Sequence, residues 1–244
     1  SKIRATAVGQ AFHSAGSSGF DGLVRITPDG ILHIHSGVGN LGTYSYASTS
    51  RVAADALKYD WDNCQIVHGD SSLGLPWNLG QFGSNTSFTM TRTNYVAAMD
   101  ALRKLKEIAA IEFGGSAEDY DVSGENVFNK SNPSRRMSYA RAAQKAIELG
   151  GAYSGHNVPD DINAMTARAV AGLVDTGLIG VARDNMGQRG MVPALAVGFI
   201  EIELDVETGK VEIIDYLGVA DCGTVTHPQG LATQIKGGAV MGFG

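Results

Sequence analysis

The chain is predicted to be an α+β protein in which two similar β-hairpin-loop-α units form mixed sheets flanked by helices. Three observations carry that expectation. Short alternating apolar runs pair around turn signals over 23–36 and again over 196–217, each second strand runs into a glycine-bearing loop and then a helix, and one long helical pattern lies between the two units. At 244 residues, 43% of them hydrophobic, the chain has the apolar content for a sizeable core and room for one large domain or two small ones.

Taken in order, the first hairpin has strands over 23–27 and 31–36 around Asp29-Gly30, a strong turn signal. The stretch 37–42 (GVGNLG) then opens a helix over 43–57. A buried-type strand follows over 64–67 (CQIV), and after it a loop over 68–84 that is rich in Gly but carries Trp77 and Phe82, a composition that fits a functional loop better than disorder. The longest helix is expected over 86–113, with an apolar stripe of Tyr95, Ala98, Met99, Leu102, Leu105, Ala109 and Phe113 and a stop at Gly114-Gly115. Ser138 is placed to cap a helix over 139–149 that Gly150-Gly151 ends, and 162–173 reads as another helix. The rest of this middle region, including 184–193 (DNMGQRGMVP), reads as loop. The second hairpin has strands over 196–206 and 210–217 around Glu207-Thr208-Gly209, followed by a loop over 218–223 and a helix from Pro228. The expected division is therefore 1–115, a connecting helical and loop region over 116–194, and an incomplete second unit over 195–244.

Charge and composition exclude several function classes. Nineteen basic and 25 acidic residues without long runs leave no electrostatic footprint for nucleic acid. Cys64 and Cys222 are too few for a disulfide framework and form no CxxC spacing, so both are expected to be buried thiols. No apolar run approaches a membrane span, and the start Ser1-Lys2-Ile3-Arg4 is not a signal peptide, which points to the cytoplasm and is also compatible with the periplasm. The missing initiator Met points to processing or to a fragment.

Four groups of residues carry the chemistry. The closing helix holds Gln234 and the pair Gly237-Gly238, and glycines inside a helix cost about 1 kcal/mol each relative to Ala, so close approach of a large ligand or another backbone is the expected reason for them. Gly37 to Gly42 fits GxGxxG between a strand and a helix, where helix N-terminal amides would face a phosphate. Its strand arrives from an antiparallel hairpin instead of starting a parallel βαβ unit, which speaks against a nicotinamide fold; a tight turn without a ligand is the plain alternative. Gly83, Ser84, Asn85 and Thr86 cluster before the long helix, where capping alone would account for the last three. His33 and His35 share a strand face and mark a half-exposed sheet surface more readily than a metal site, His227 is a helix-start residue, and Asp70, Asp205 and Asp221 sit at strand ends as turn caps. No GxSxG, HExxH or P-loop pattern occurs.

The order of these motifs resembles the molybdenum-cofactor subunit of the xanthine dehydrogenase and aldehyde oxidase family. GVGNLGTYSYASTSRVAADAL, then CQIVHGD, then GSNTS opening a long helix match its first part loosely, and the stretch 197–244 is similar to its closing "EVEVD-TG-V…D-G…NP…GQ-GG…GLG" block more specifically. The resemblance implies a molybdopterin site with molybdenum, expected in the cytosine dinucleotide form. Gln234 matches the glutamine that hydrogen-bonds the pterin, Gly42, Thr43 and Tyr44 occupy the family's GQG loop, and Gly83, Ser84, Asn85 and Thr86 occupy its Gly-Ser phosphate and pterin contacts. Two departures stand out: Thr43 replaces the GQG glutamine, and Asn85-Thr86 shifts the second loop by a residue or two.

On this resemblance 1–115 is a first cofactor-binding subdomain and 195–244 the start of a second. The expected activity is that of a molybdenum hydroxylase oxidising an aldehyde or N-heterocycle with water as oxygen source. The family's catalytic glutamate lies beyond the closing block, so no catalytic residue and no protein metal ligand are expected in this chain. The partners implied are the other part of the molybdenum subunit, iron-sulfur and flavin (FAD) subunits and a small-molecule substrate. The alternatives are a nicotinamide-dependent oxidoreductase using Gly37 to Gly42, and a non-catalytic scaffold whose glycines serve backbone packing.

Overall fold

A computed structural model describes residues 1–70, 72, 74–187, 192–225 and 227–244. It divides into two compact units, Gly16–Gln188 and the pair of segments Ser1–Ala15 and Arg189–Gly244.

The larger unit is built on a four-stranded mixed sheet. Strands β2 (Asp21–Ile26) and β3 (Leu32–His35) form the expected hairpin, closed by Asp29 Oδ1 accepting from Ile31 N at 3.2 Å and by Gly30 at φ +89°. The chain then crosses through helix α1 (Ser45–Leu57) to β4 (Cys64–Val67), which pairs with β3 in parallel. This corrects the sequence-based expectation: the strand that ends the hairpin does begin a parallel crossover. The sheet order is β4-β3-β2-β8, with β8 (Leu178–Arg183) antiparallel to β2, so a single parallel pair sits in an otherwise antiparallel sheet.

Helix α2 (Thr86–Phe113) occupies the expected span and packs on this sheet. Val24, Ile26, Leu32, Ile34 and Leu178 meet Ala53 and Leu57 of α1 and Ala97, Ala101, Leu105 and Ile108 of α2 in the main core. Full burial of each Leu or Ile contributes about 1.5–3 kcal/mol. The buried stripe of α2 is rotated from the predicted one: Tyr95 and Met99 are exposed, while Ala97, Ala101 and Ile108 are fully buried. Close approach explains the shift, because a Cβ at Gly22 would lie 1.9 Å from Thr93 O and one at Gly180 would lie 2.5 Å from Ala97 O. Small residues hold the contact face there, and hydrophobicity counts do not register them. Buried Lys104 adds a tie from α2 to the sheet, donating to Ile179 O and pairing with Asp100, both at 2.7 Å.

The region expected to be mostly loop contains more order. Strands β5 (Tyr120–Ser123), β6 (Asn126–Asn129) and β7 (Arg136–Ser138) form a small antiparallel sheet before α3 (Tyr139–Leu149), and β8 is a strand of the main sheet. Helix α4 (Ala164–Ala171) covers the opposite sheet face through Ala169, Val170 and Leu173 on Leu23, Ile179 and Val181. The segment after β8 is anchored by Asp184, which accepts from Arg92 Nε at 2.6 Å and Nη2 at 2.9 Å; residues 188–191 of the predicted 184–193 loop lie outside the described residues.

The smaller unit is a three-stranded antiparallel sheet, β1 (Lys2–Ala15), β9 (Val192–Asp205) and β10 (Val211–Asp221), with helix α5 (Pro228–Phe243). The β9-β10 hairpin and the helix start are the predicted ones. Strand β1 was not predicted, yet it pairs with β9 from Lys2↔Asp205 to Ala15↔Val192. Phe243 meets Tyr216 edge-on at 4.9 Å. No described residue of this unit is buried, and that overturns the expectation for Cys222, which is an exposed thiol at the end of β10. Cys64 is half-buried, and burial pushes its thiol up to about 12.

Candidate functional site

The loops before α1 and α2 meet in the larger unit, and side chains tie them together. Asn40 curls the first loop, its Oδ1 accepting from Gly42 N at 2.9 Å and Tyr44 N at 3.1 Å. Gln81 links it to the second loop: Oε1 accepts from Leu41 N and Nε2 donates to Ser45 Oγ, both at 2.8 Å. Thr43 Oγ1 donates to the same Ser45 oxygen at 3.3 Å. Further back, Asn78 accepts from Gly37 N at 2.8 Å and donates to Asp21 O at 2.8 Å.

The glycines of the first loop divide by cause. A Cβ on Gly37 would lie 2.1 Å from Pro76 O, so the chain's own second loop requires that glycine. Gly42 has φ +94° and Gly83 φ +59°, conformations that favour glycine, and both face open space. Gly39 likewise has nothing within 4 Å. The nicotinamide reading thereby loses the first glycine of its fingerprint to internal packing.

Two non-glycine residues here also adopt left-handed backbone: Tyr44 at φ +51° and Ser84 at φ +54°. Such a conformation costs a side chain-bearing residue roughly 1–2 kcal/mol and is concentrated at functional sites. Ser84 precedes Asn85 in right-handed conformation (φ −94°, ψ −22°), and the Asn85 N–H closes the turn on Phe82 O at 3.4 Å.

Neither helix is capped. Tyr44 at the start of α1 and Asn85 at the start of α2 make no side-chain capping hydrogen bond. This corrects the capping explanation of Ser84, Asn85 and Thr86: the Asn85 carboxamide turns back to donate to Gly80 O at 3.0 Å and to Phe82 O, and its Oδ1 is buried without a partner. The first N–H groups of a helix lack intrahelical partners and carry the positive end of its dipole. Two such ends, one on a 13-residue and one on a 28-residue helix, therefore start beside loops joined by Gln81.

Of the predicted site residues, Gly42, Thr43, Tyr44, Gly83 and Ser84 are exposed in these two loops, Thr86 is half-buried and Asn85 is buried. Gln234 is exposed on α5 of the smaller unit. Among the described residues, a Cβ added at Gly237, Gly238 or Gly242 meets nothing within 4 Å, so packing within the chain does not call for those glycines. Asn40, Asn78 and Gln81 were missed from the sequence. Their signal was available only as amide side chains inside glycine-rich loops, where one residue in several has that character.

The remaining candidates resolve into structural roles, with one correction. His227 accepts from Gly230 N at 2.8 Å as the cap of α5, and Asp70, Asp205 and Asp221 accept from Ser72, Glu207 and Gly223 N in turns. The Glu125 carboxylate is occupied by Asp60 N and Asn63 Nδ2. His33 is half-exposed as expected, but His35, beside Leu23 on the side that α4 covers, is 1% exposed with both ring nitrogens unpartnered. Burial, then the charges of Arg25 and His33, depress it to about 3, so it is neutral.

Among known proteins, residues 2–244 match the family model described as the molybdopterin cofactor-binding domain. Two curated relatives come from Paenarthrobacter nicotinovorans. The 6-hydroxypseudooxynicotine dehydrogenase complex subunit gamma is 23% identical over 224 residues, and the nicotine 6-hydroxylase large subunit 26% over 221. Each alignment covers 91% of this chain and 25% of the relative, so the chain spans about a quarter of their length. The solved CO dehydrogenase from Oligotropha carboxidovorans superposes with a TM-score of 0.65 at 19% identity, covering 97% of this chain and 28% of that one, a likeness of fold. With nearly every residue inside the family model, and the α+β architecture shared, the chain belongs to the molybdopterin cofactor-binding domain family.

Proposed function

We propose that this chain supplies part of the cofactor cradle of a molybdenum hydroxylase that oxidises an aldehyde or N-heterocycle with water as the oxygen source. The observation that carries the reading is the pair of uncapped helix N-termini, α1 and α2, behind open left-handed loops joined by Gln81. Free backbone N–H groups and two positive helix ends suit the phosphates of a pterin cofactor, and the open space at Gly39, Gly42 and Gly83 admits a bulky ligand against the backbone. The residues present thus fit the group. When bound, the molybdenum centre supplies the two-electron oxidation chemistry.

The chain's own part is binding and orientation. Gly42, Thr43 and Tyr44 would line one side and Gly83, Ser84, Asn85 and Thr86 the phosphate end; Gln234 would hydrogen-bond the pterin. Buried Asn85 would act by holding the loop, its amide donating to Gly80 O and Phe82 O. In functional terms 1–115 would carry the first cofactor-binding loops and 195–244 the start of the second, joined by 116–194, with β1 of the first stretch paired to β9 in the smaller unit's sheet. The cofactor is the cytosine dinucleotide form, and the partners are the rest of the molybdenum subunit with iron-sulfur and FAD subunits, in the cytoplasm. No helix among the described residues is long and apolar enough to cross a membrane.

Metal and pterin analysis of the purified complex containing this chain tests the reading. Molybdenum and pterin in equal amounts, with CMP released on acid hydrolysis, are expected. Active complex lacking molybdenum and pterin would remove it, and pterin without CMP would leave only the dinucleotide form refuted.

A further inference from the structure

We infer that Gln81 is a positioning residue of the cradle, standing in for the carboxamide that the chain lacks at Thr43. The inference rests on the molybdopterin reading above. Its geometry is unambiguous in one respect: Leu41 N–H can only donate, so the oxygen of the Gln81 carboxamide must face it and the nitrogen must face Ser45 Oγ. The amide therefore spans the loop from its start to the first residue of α1. Thr43 sits inside that span and leans on the same Ser45 oxygen.

A glutamine at position 43 would reach outward from its own loop. Here the carboxamide comes from the facing loop, 36–40 residues later in sequence, and closes the loop from the other side. One N–H and one lone pair of Gln81 remain unused by these two bonds, on a half-buried side chain at the rim of the open space. Gln81 can thus hold the loop and still offer a donor to the ligand.

The clasp is independent of the hydrophobic core. Leu41 is 74% exposed, buried Ser45 keeps the Thr43 hydroxyl as a partner when Gln81 is removed, and neither residue belongs to the main hydrophobic cluster. Loss of the clasp should therefore appear in loop order and cofactor retention, with little change in global stability. Outer residues that orient ligand-holding groups typically cost about 10- to 100-fold in affinity when changed.

The test uses the complete complex with Gln81→Met, which keeps length but removes both hydrogen bonds, and Gln81→Glu. A carboxylate at 81 can accept from both Leu41 N–H and Ser45 O–H, but it brings negative charge to an anion site. Three quantities are read: molybdenum and pterin retained after dialysis, and, both in cofactor-free protein, the rate of proteolysis within 38–44 and the melting temperature. Gln81→Met should lose cofactor about 10-fold or more and be cut faster, at an unchanged melting temperature. Gln81→Glu should resist proteolysis like the unaltered protein and still lose cofactor. The inference is overturned if Gln81→Met retains cofactor and protease resistance, if the melting temperature of the cofactor-free variant falls below that of the cofactor-free unaltered protein, or if Gln81→Glu holds cofactor normally. Unaltered complex without molybdenum and pterin would instead remove the proposed function, and the proteolysis rates would still decide whether Gln81 clasps the loop.

Discussion

Helices α3, α4 and α5 begin on a side chain that accepts from their own first turn, whereas α1 and α2 do not. Ser138 accepts from Arg141 N, Asn163 from Met165 N and His227 from Gly230 N. At α1 and α2 the polar residues are equally available, yet Ser45 serves Gln81 and Thr43, and Asn85 serves two loop carbonyls. The contrast teaches that cap-forming residue types do not by themselves make a cap. Where they are turned elsewhere, the first N–H groups of the helix receive no side-chain cap.

The largest expected effect that would break this contrast comes from Gly37→Ala, which drives a methyl group towards Pro76 O and parts the two loops. Denaturant unfolding of the purified complex should show a loss of about 1–3 kcal/mol, accompanied by cofactor loss. Retention of both would mean that the second loop yields easily and is not a fixed wall.

A second effect depends on pH. His35 lies two residues before Gly37 and is held below its ordinary 6.5, at about 3, so the unfolded chain takes up the proton first as pH falls. Its contribution is complete above pH 6.5 and drains away towards pH 3. Between pH 6.5 and 5 this amounts to about 2 kcal/mol, and His35→Phe should flatten that part of the stability profile. An unchanged slope in the variant would assign the acid sensitivity to other groups.

Smaller still are the capped starts. Ser138→Ala and Asn163→Ala should each cost about 1 kcal/mol in thermal melts without lowering molybdenum content; a loss of cofactor in either would erase the distinction between the two kinds of helix start. The smallest effect has the opposite sign. Tyr44→Gly relieves left-handed strain but adds backbone freedom, for a net gain of about 0.5 kcal/mol, while cofactor retention falls because a side chain of the proposed cradle is gone.

Much of the fold was legible because its signals are local. Asp29-Gly30 and Glu207-Thr208-Gly209 marked both hairpins, and 86–113 was bounded by Asn85 and Gly114-Gly115. Strand β1 was not legible, since Ile3 lies on one face and Val8 and Phe12 on the other, which destroys the period-2 signal. Strands β5 to β7 are three or four residues long, too short to show alternation. The site was legible as two glycine loops. What joins them was not, because the Gln81 contacts span 36–40 residues and depend on the crossover through α1.

Strand β1 and its partner β9 lie far apart in sequence, and that separation orders events during synthesis. Strand β1 emerges from the ribosome roughly 180–200 residues before its partner β9, a wait of about 10–40 s at ordinary elongation rates. The larger unit, Gly16–Gln188, is complete in sequence before β9 is made. The α1 and α2 ends are therefore ready while α5 and Gln234 are still being made. During that interval the fourteen-residue β1 lacks the β9 edge it pairs with, and an open strand edge is a template for pairing with another chain.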